Sequence, residues 1–145
     1  PRPKLMKVPE LKSFTQEDAW NLCVIANDLA TERGYPIVID IREGNTSLFT
    51  VRLPGATDEN LNWARRKRNL TLLTKVASWE HDKARKAGHD ILEEQNLDEK
   101  DYASHGGCVP IFVNGELVAT LTISGLPSKD DHEFAVECLT LLNAQ

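Results

Sequence analysis

Apolar residues recur at helical spacing from Ala19 through Leu22, Cys23, Ala26, Leu29 and Ala30, the buried stripe of an amphipathic helix. Ser13 to Gln16 has capping-box spacing, with Thr15 as a rival N-cap. Gly34 followed by Pro36 stops the helix, because Gly tolerates the left-handed C-terminal position and Pro cannot continue the turn. The pattern predicts a first helix over 15–33. The period then falls to two. In Pro36-Ile-Val-Ile-Asp-Ile-Arg42, Ile37, Ile39 and Ile41 face one way and Val38, Asp40 and Arg42 the other. Glu43-Gly44-Asn45 makes a turn, and Leu48–Leu53 pairs back as a second strand ended by Pro54-Gly55.

Thr57 or Asp58 caps a second helix running through Leu61, Trp63, Ala64 and Leu70 to about Lys75. Residues 76–105 have the weakest pattern: 77–87 suits a helix, and 93–101 is an acidic solvated stretch. Asn114-Gly115 between the apolar runs 108–113 and 116–123 is a strong hairpin cue, because both central residues of a type I′ turn need positive φ. Pro110 marks an edge or a bulge in that hairpin. Ser128 caps a last helix with Asp131 at its third position; Phe134, Ala135, Cys138, Leu141 and Leu142 form its stripe. Hairpins and helices without a βαβ rhythm give an α+β class, a single antiparallel sheet of four or five strands with flanking helices. An arm over 1–12 precedes a single domain over 13–145.

Composition narrows the function classes. The 145 residues are 41% hydrophobic and carry a net charge of −5, which suits one globular domain and disfavours a general nucleic-acid binder, since phosphate neutralisation needs clustered surplus cations. Cys23, Cys108 and Cys138 form no paired framework and suit a reducing compartment. The first residues show no apolar signal region, and the apolar runs fall well short of the ~20 residues that span a bilayer. The chain reads as soluble and cytoplasmic, with no membrane partner.

Four clusters carry candidate chemistry. His105-Gly106-Gly107-Cys108 stands before a strand, either a pocket with His105 as acid, base or ligand, or a turn whose histidine bonds locally. Ser124-Gly125-Leu126-Pro127-Ser128 joins a strand end to a helix N-terminus, where an anion is favoured; Asp130 and Asp131 are rivals for that role. Arg65-Arg66-Lys67-Arg68 points around a helix: Arg65 or Arg68 meets a ligand anion, or the run is solvated or paired with Asp58, Glu59 and the 93–101 stretch. The set His105, Cys108, Asp131 and His132 contains His-x-x-Cys metal spacing, but adjacent residues rarely ligate one ion, and no metal is assigned.

Several motifs resemble the haem-degrading-domain, GlcG-like family, and its branch of uncharacterised proteins in particular. They are residues 36–42, 63–69, Tyr102-Ala-Ser-His-Gly-Gly107 and Leu121-Thr-Ile-Ser-Gly-Leu-Pro127 followed by Asp130-Asp131-His132. They come in the family's order and span 14–142. The resemblance implies a profilin-like layered fold with a five-stranded antiparallel sheet and helices on both faces, and homo-oligomers built from dimers. It also brings haem in as a candidate ligand, although no residue here matches an established haem ligand by motif. Leu73-Thr-Lys-Val-Ala-Ser-Trp79 departs from the branch's usual Phe-Gly-Arg-Ser-Ser-like segment.

Three functional readings follow. The first is a homo-oligomeric protein binding a small ligand at His105, Gly106, Gly107, Ser124, Gly125 and His132, with Arg65 or Arg68 as anion partner. The second is an enzyme using His105 or His132 as general acid or base, with Asp131 orienting and Ser124 or a backbone N–H stabilising. The third is an interaction module acting through its oligomer surface.

Overall fold

A computed structural model describes residues 7–145, so part of the expected arm at 1–12 lies outside the described residues. Helix α1 spans Gln16–Arg33; Thr15 is its N-cap, with a full capping box to Asp18, and Gly34 closes it at φ 69°. Strands β1 (Val38–Glu43) and β2 (Thr46–Arg52) form the first hairpin. Helix α2 (Asp58–Thr74) starts at Thr57, whose capping box closes on Asn60. The weakly patterned region folds into α3 (Ser78–Lys86) and the short α4 (Ile91–Glu94). Strands β3 (Cys108–Val113) and β4 (Glu116–Ser124) form the second hairpin, and α5 covers Ser128–Asn143. Asn114 and Gly115 take φ of 51° and 78° in the tight turn, as the type I′ geometry requires.

The sheet is antiparallel with order β2-β1-β4-β3. The described residues form four strands, where the family resemblance implied five. The N-terminal segment adds one isolated parallel bridge, Leu11 to Val113, on the outer edge of β3. Pro110 sits in that edge strand, and the pairing slips just after it, between Ile111 and Phe112. A proline there costs no ladder bond because its missing N–H faces away from a neighbour.

The two faces of the sheet bury different residues. Ile37, Ile39, Ile41, Val109, Ile111, Leu121 and Ile123 pack with the apolar stripes of α1 and α5 into one cluster. The opposite face holds Val38, which packs with Ala56 and Ala64, together with the buried Asp40, Thr120, Thr122 and Ser124. Helix α2 covers this face and turns Ala64, Lys67, Arg68 and Thr71 inward. The spacing of three, one and three places all four on one helical stripe.

Each member of the basic run has its own partner. Arg65 donates to Asp101 at 3.0 Å and to the Lys100 carbonyl at 2.8 Å. Arg66 donates to the Tyr102 carbonyl at 3.4 Å. Lys67 reaches Asp131 at 3.0 Å and Arg68 reaches Asp40 at 2.9 Å, both inside the protein. Asp40 also accepts from Arg42 and Thr50. The run therefore ties α2 to residues 100–102 on one side and to α5 and the sheet on the other.

Candidate functional site

The polar face opens into a cavity of about 240 Å³ at the end of β4. Helix α2 contributes Asn60, Trp63 and Lys67, spaced three and four apart so that they share one stripe. His105 comes from the loop before β3. The other wall is Ser124, Gly125, Leu126 and Ser128, with Asp131 behind them. The Trp63 ring meets His105 edge-on, with centroids 5.0 Å apart and planes at 79°. The Arg66 guanidinium lies 4.3 Å from the Trp63 centroid and holds that ring by a cation–π contact.

Asp131 is the polar centre of the site. Its carboxylate accepts from the Gly125 N–H at 3.3 Å, from the Leu126 N–H at 2.9 Å and from the Lys67 ammonium at 3.0 Å. It therefore fills the donor nest before α5 with a charge of the protein's own. The expected cap at Ser128 does not form: Ser128 is the first helical residue and Pro127, with no side-chain cap, precedes it. Burial pushes the Asp131 carboxyl up to about 6, outweighing Lys67 and the two backbone donors. Burial also lowers the His105 imidazole from its usual value, reinforced by Arg85 and opposed by Asp82. The cavity thus joins a neutral imidazole, a carboxyl that titrates near neutrality and a buried ammonium, a set able to bind an anion or to move a proton.

Helix α3 holds the histidine loop in place. The buried Asp82 carboxylate accepts from the Gly106 N–H at 3.3 Å and pairs with Arg85 at 2.7 Å. Ser78 accepts from the Cys108 N–H at 3.0 Å. Gly106 and Gly107 back the cavity without lining it. A Cβ on Gly106 would stand 2.9 Å from a Trp79 ring carbon, and one on Gly107, at φ 140°, would stand 2.8 Å from the Lys67 ammonium. Both positions need glycine because other groups approach the backbone so closely.

The remaining candidates lie elsewhere. Arg65 and Arg68 line neither this cavity nor the one holding His132; Lys67, between them in sequence, supplies the cation. His132 lines a separate cavity. Cys108 is fully enclosed and burial pushes its thiol up to about 11, so it stays protonated and is no nucleophile at neutral pH. Among the described residues, no three His, Cys, Asp or Glu side chains gather at a metal-sized site. No helix among them is long and apolar enough to cross a membrane.

Residues 14–140 match the model of the haem degrading protein HbpS-like family. A UPF0303 protein of Rhizobium johnstonii is 42% identical over 140 residues, covering 96% of this chain and 86% of its own. One from Azotobacter vinelandii is 39% identical over 132 residues, covering 90% of this chain and 80% of its own. Among solved structures, the Ybr137w protein superposes with a TM-score of 0.84 at 32% identity, covering 97% of this chain and 84% of its own. A PduOC complex with haem superposes with a TM-score of 0.73 at 24% identity, over 90% of this chain and 94% of its own. This last likeness is one of fold.

Proposed function

The chain belongs to the HbpS-like haem-degrading-protein family, and on that premise we propose that it is a homo-oligomeric protein binding a small anionic metabolite in the cavity beneath α2. The observation that carries this reading is the convergence of Trp63, Lys67, His105 and Asp131 on one cavity. Trp63 and His105 offer flat surfaces, Ser124 and Ser128 offer hydroxyls, and Lys67 offers the charge. A ligand carboxylate or phosphate competes with Asp131 for Lys67, and a proton taken up by Asp131 favours the ligand. Binding therefore tightens as pH falls from 7 towards 6.

Haem is the group that the family and the PduOC complex bring to mind. A cavity of about 240 Å³ falls below the roughly 300–1,000 Å³ of drug-sized ligand pockets, and a haem is larger than most such ligands. The cavity also has a salt bridge for a floor, where a macrocycle needs an apolar slot. One chain does not enclose a haem there.

Self-assembly is supported by exposed apolar groups. Trp20, half exposed on α1, has its ring centroid 5.4 Å from that of Phe49 on β2, an edge strand among the described residues, and Leu73 and Val76 are exposed near the end of α2. Light scattering of the purified protein tests this part; a monomer at all concentrations refutes it. Calorimetric titration with small carboxylates, small phosphates and haemin tests the ligand. The expected result is saturable binding of one small anion that Lys67→Met abolishes. Saturation by haemin alone, or anion binding that survives Lys67→Met, overturns the reading.

A further inference from the structure

His105 enters the binding cavity from a loop, yet its ring has no bonds of its own. Among the described residues the imidazole makes no hydrogen bond, and its aromatic neighbour is Trp63, met edge-on. Such a side chain takes its place from whatever holds its backbone and its charge from the groups around it.

The backbone is held from α3. Asp82, Arg85 and Lys86 stand three and four residues apart and so share one face of that helix. The Arg85 Nε–H donates to the Ser104 carbonyl at 3.4 Å, and the Gly106 N–H donates to Asp82 Oδ2 at 3.3 Å. These two groups belong to the peptide units on either side of the His105 Cα. Asp82 Oδ1 meets the Arg85 guanidinium at 2.7 Å and the Lys86 ammonium at 3.3 Å. One ion pair therefore grips the loop both before and after the histidine. We propose that Asp82 and Arg85 are the positioning pair of the cavity, fixing where His105 stands and setting its charge from two opposed sides. The inference rests on the anion-binding reading above only for the use to which His105 is put.

The two halves of the pair act on the ring with opposite sign. The Arg85 cation disfavours a protonated imidazole, and the Asp82 carboxylate favours one. Burial acts with Arg85, and so do Lys67 and Arg66 of α2. Asp131 of α5 lines the same cavity with its charge taken by Lys67, and Lys86 is paired with Asp82. The ring therefore stays neutral at pH 7 and offers a ligand one donor and one acceptor. Lys67 is left to supply the positive charge of the cavity lining.

The test is the titration of the His105 imidazole, followed by NMR in the ligand-free whole chain for the wild type, Arg85→Gln and Asp82→Asn. Arg85 is 31% exposed, and its replacement leaves Asp82 paired with Lys86 and Gly106, so the fold is kept. In Asp82→Asn an amide oxygen still accepts the Gly106 N–H. The expected result is a titration midpoint that rises in Arg85→Gln and falls in Asp82→Asn. A pair that served the fold alone would loosen the same loop from either end and move both midpoints the same way. The position of the ring is read from the Trp63 indole signal, which shifts in Asp82→Ala and returns in Asp82→Asn. Midpoints that move together, a midpoint unmoved in either variant, or a Trp63 signal unmoved in Asp82→Ala overturns the proposal. Because the midpoints are read without ligand, opposite shifts uphold the pair even where inorganic phosphate fails to bind the wild type, a failure that counts against the anion-binding reading.

Discussion

Ile39 and Asp40 are adjacent in β1 and almost equally hidden from water. Ile39 points into the apolar cluster under α1 and α5, and Asp40 points under α2 to Arg68. The same alternation runs through β4, where Leu121 and Ile123 join the apolar cluster and Thr120 and Thr122 do not. One face of the sheet is packed for stability by area removed from water. The other holds a buried ionic layer, a costly way to fill a core because desolvation offsets most of the Coulomb gain. A domain of this size can fill both faces with apolar side chains, so the polar layer points to binding and chemistry.

Substitutions that treat the two faces alike should separate them. The largest expected loss is Asp40→Ala, which leaves Arg68 enclosed without its carboxylate; breaking a buried pair costs about 3–5 kcal/mol, read by urea unfolding. Ile39→Ala, on the apolar face, costs about 2–5 kcal/mol through lost transfer energy and a residual cavity. These two losses are of similar size but differ in kind. Replacing both partners, as Asp40→Leu with Arg68→Met, recovers most of the first loss, whereas no second substitution on the polar face recovers the Ile39 loss.

A smaller effect concerns acid. His132 titrates near 4 in the folded chain and at 6.5 when unfolded. Between those values the unfolded chain binds a proton that the folded chain refuses, so stability falls as pH drops through the window. His81 and His105 are lowered in the same direction. Asp131 opposes them: its folded value, near 6, lies above its unfolded 3.8, so its contribution is present in acid and is lost as pH rises through 6. His132→Gln should remove about 3 kcal/mol of the acid loss between pH 6.5 and 4, measured as the difference between two pH–stability curves. The smallest effect is Thr122→Val. Among the described residues its buried hydroxyl has no close hydrogen-bond partner and its neighbour is the weakly bonding Cys108 thiol, so the change should shift stability by less than about 1 kcal/mol, in either direction.

Much of this contrast could be read along the chain. The alternation in residues 36–42 separates Ile37, Ile39 and Ile41 from Asp40 and Arg42, and the structure keeps that division. Both hairpins, α1, α2 and α5 follow from capping residues, period and turn chemistry, within two residues at most ends. The candidate site was half legible. His105, Ser124, Gly125 and Asp131 do share a cavity. Lys67 was hidden because a run of four cations reads as a surface feature, although its spacing from Ala64 and Thr71 already placed it on the inward stripe. Trp63 read as one of the apolar positions of α2, with Leu61, Ala64 and Leu70. Asp82, Ser78 and Trp79 were illegible as supports, since α3 pairs with the 105–108 loop through contacts 24 to 30 residues apart that no local pattern encodes.

The direct test of the account is one double variant, Lys67→Met with Asp131→Asn, whose amide oxygen still accepts the Gly125 and Leu126 N–H groups, assayed for both unfolding free energy and binding of the anion found for the wild type. If the polar layer exists for the ligand, the variant keeps wild-type stability to within about 1 kcal/mol, or gains, because both charges of the buried pair are removed together and the backbone donors stay paired. It also binds the anion no longer. Retained anion binding, or a stability loss of about 3–5 kcal/mol such as follows from breaking a buried pair, would contradict it.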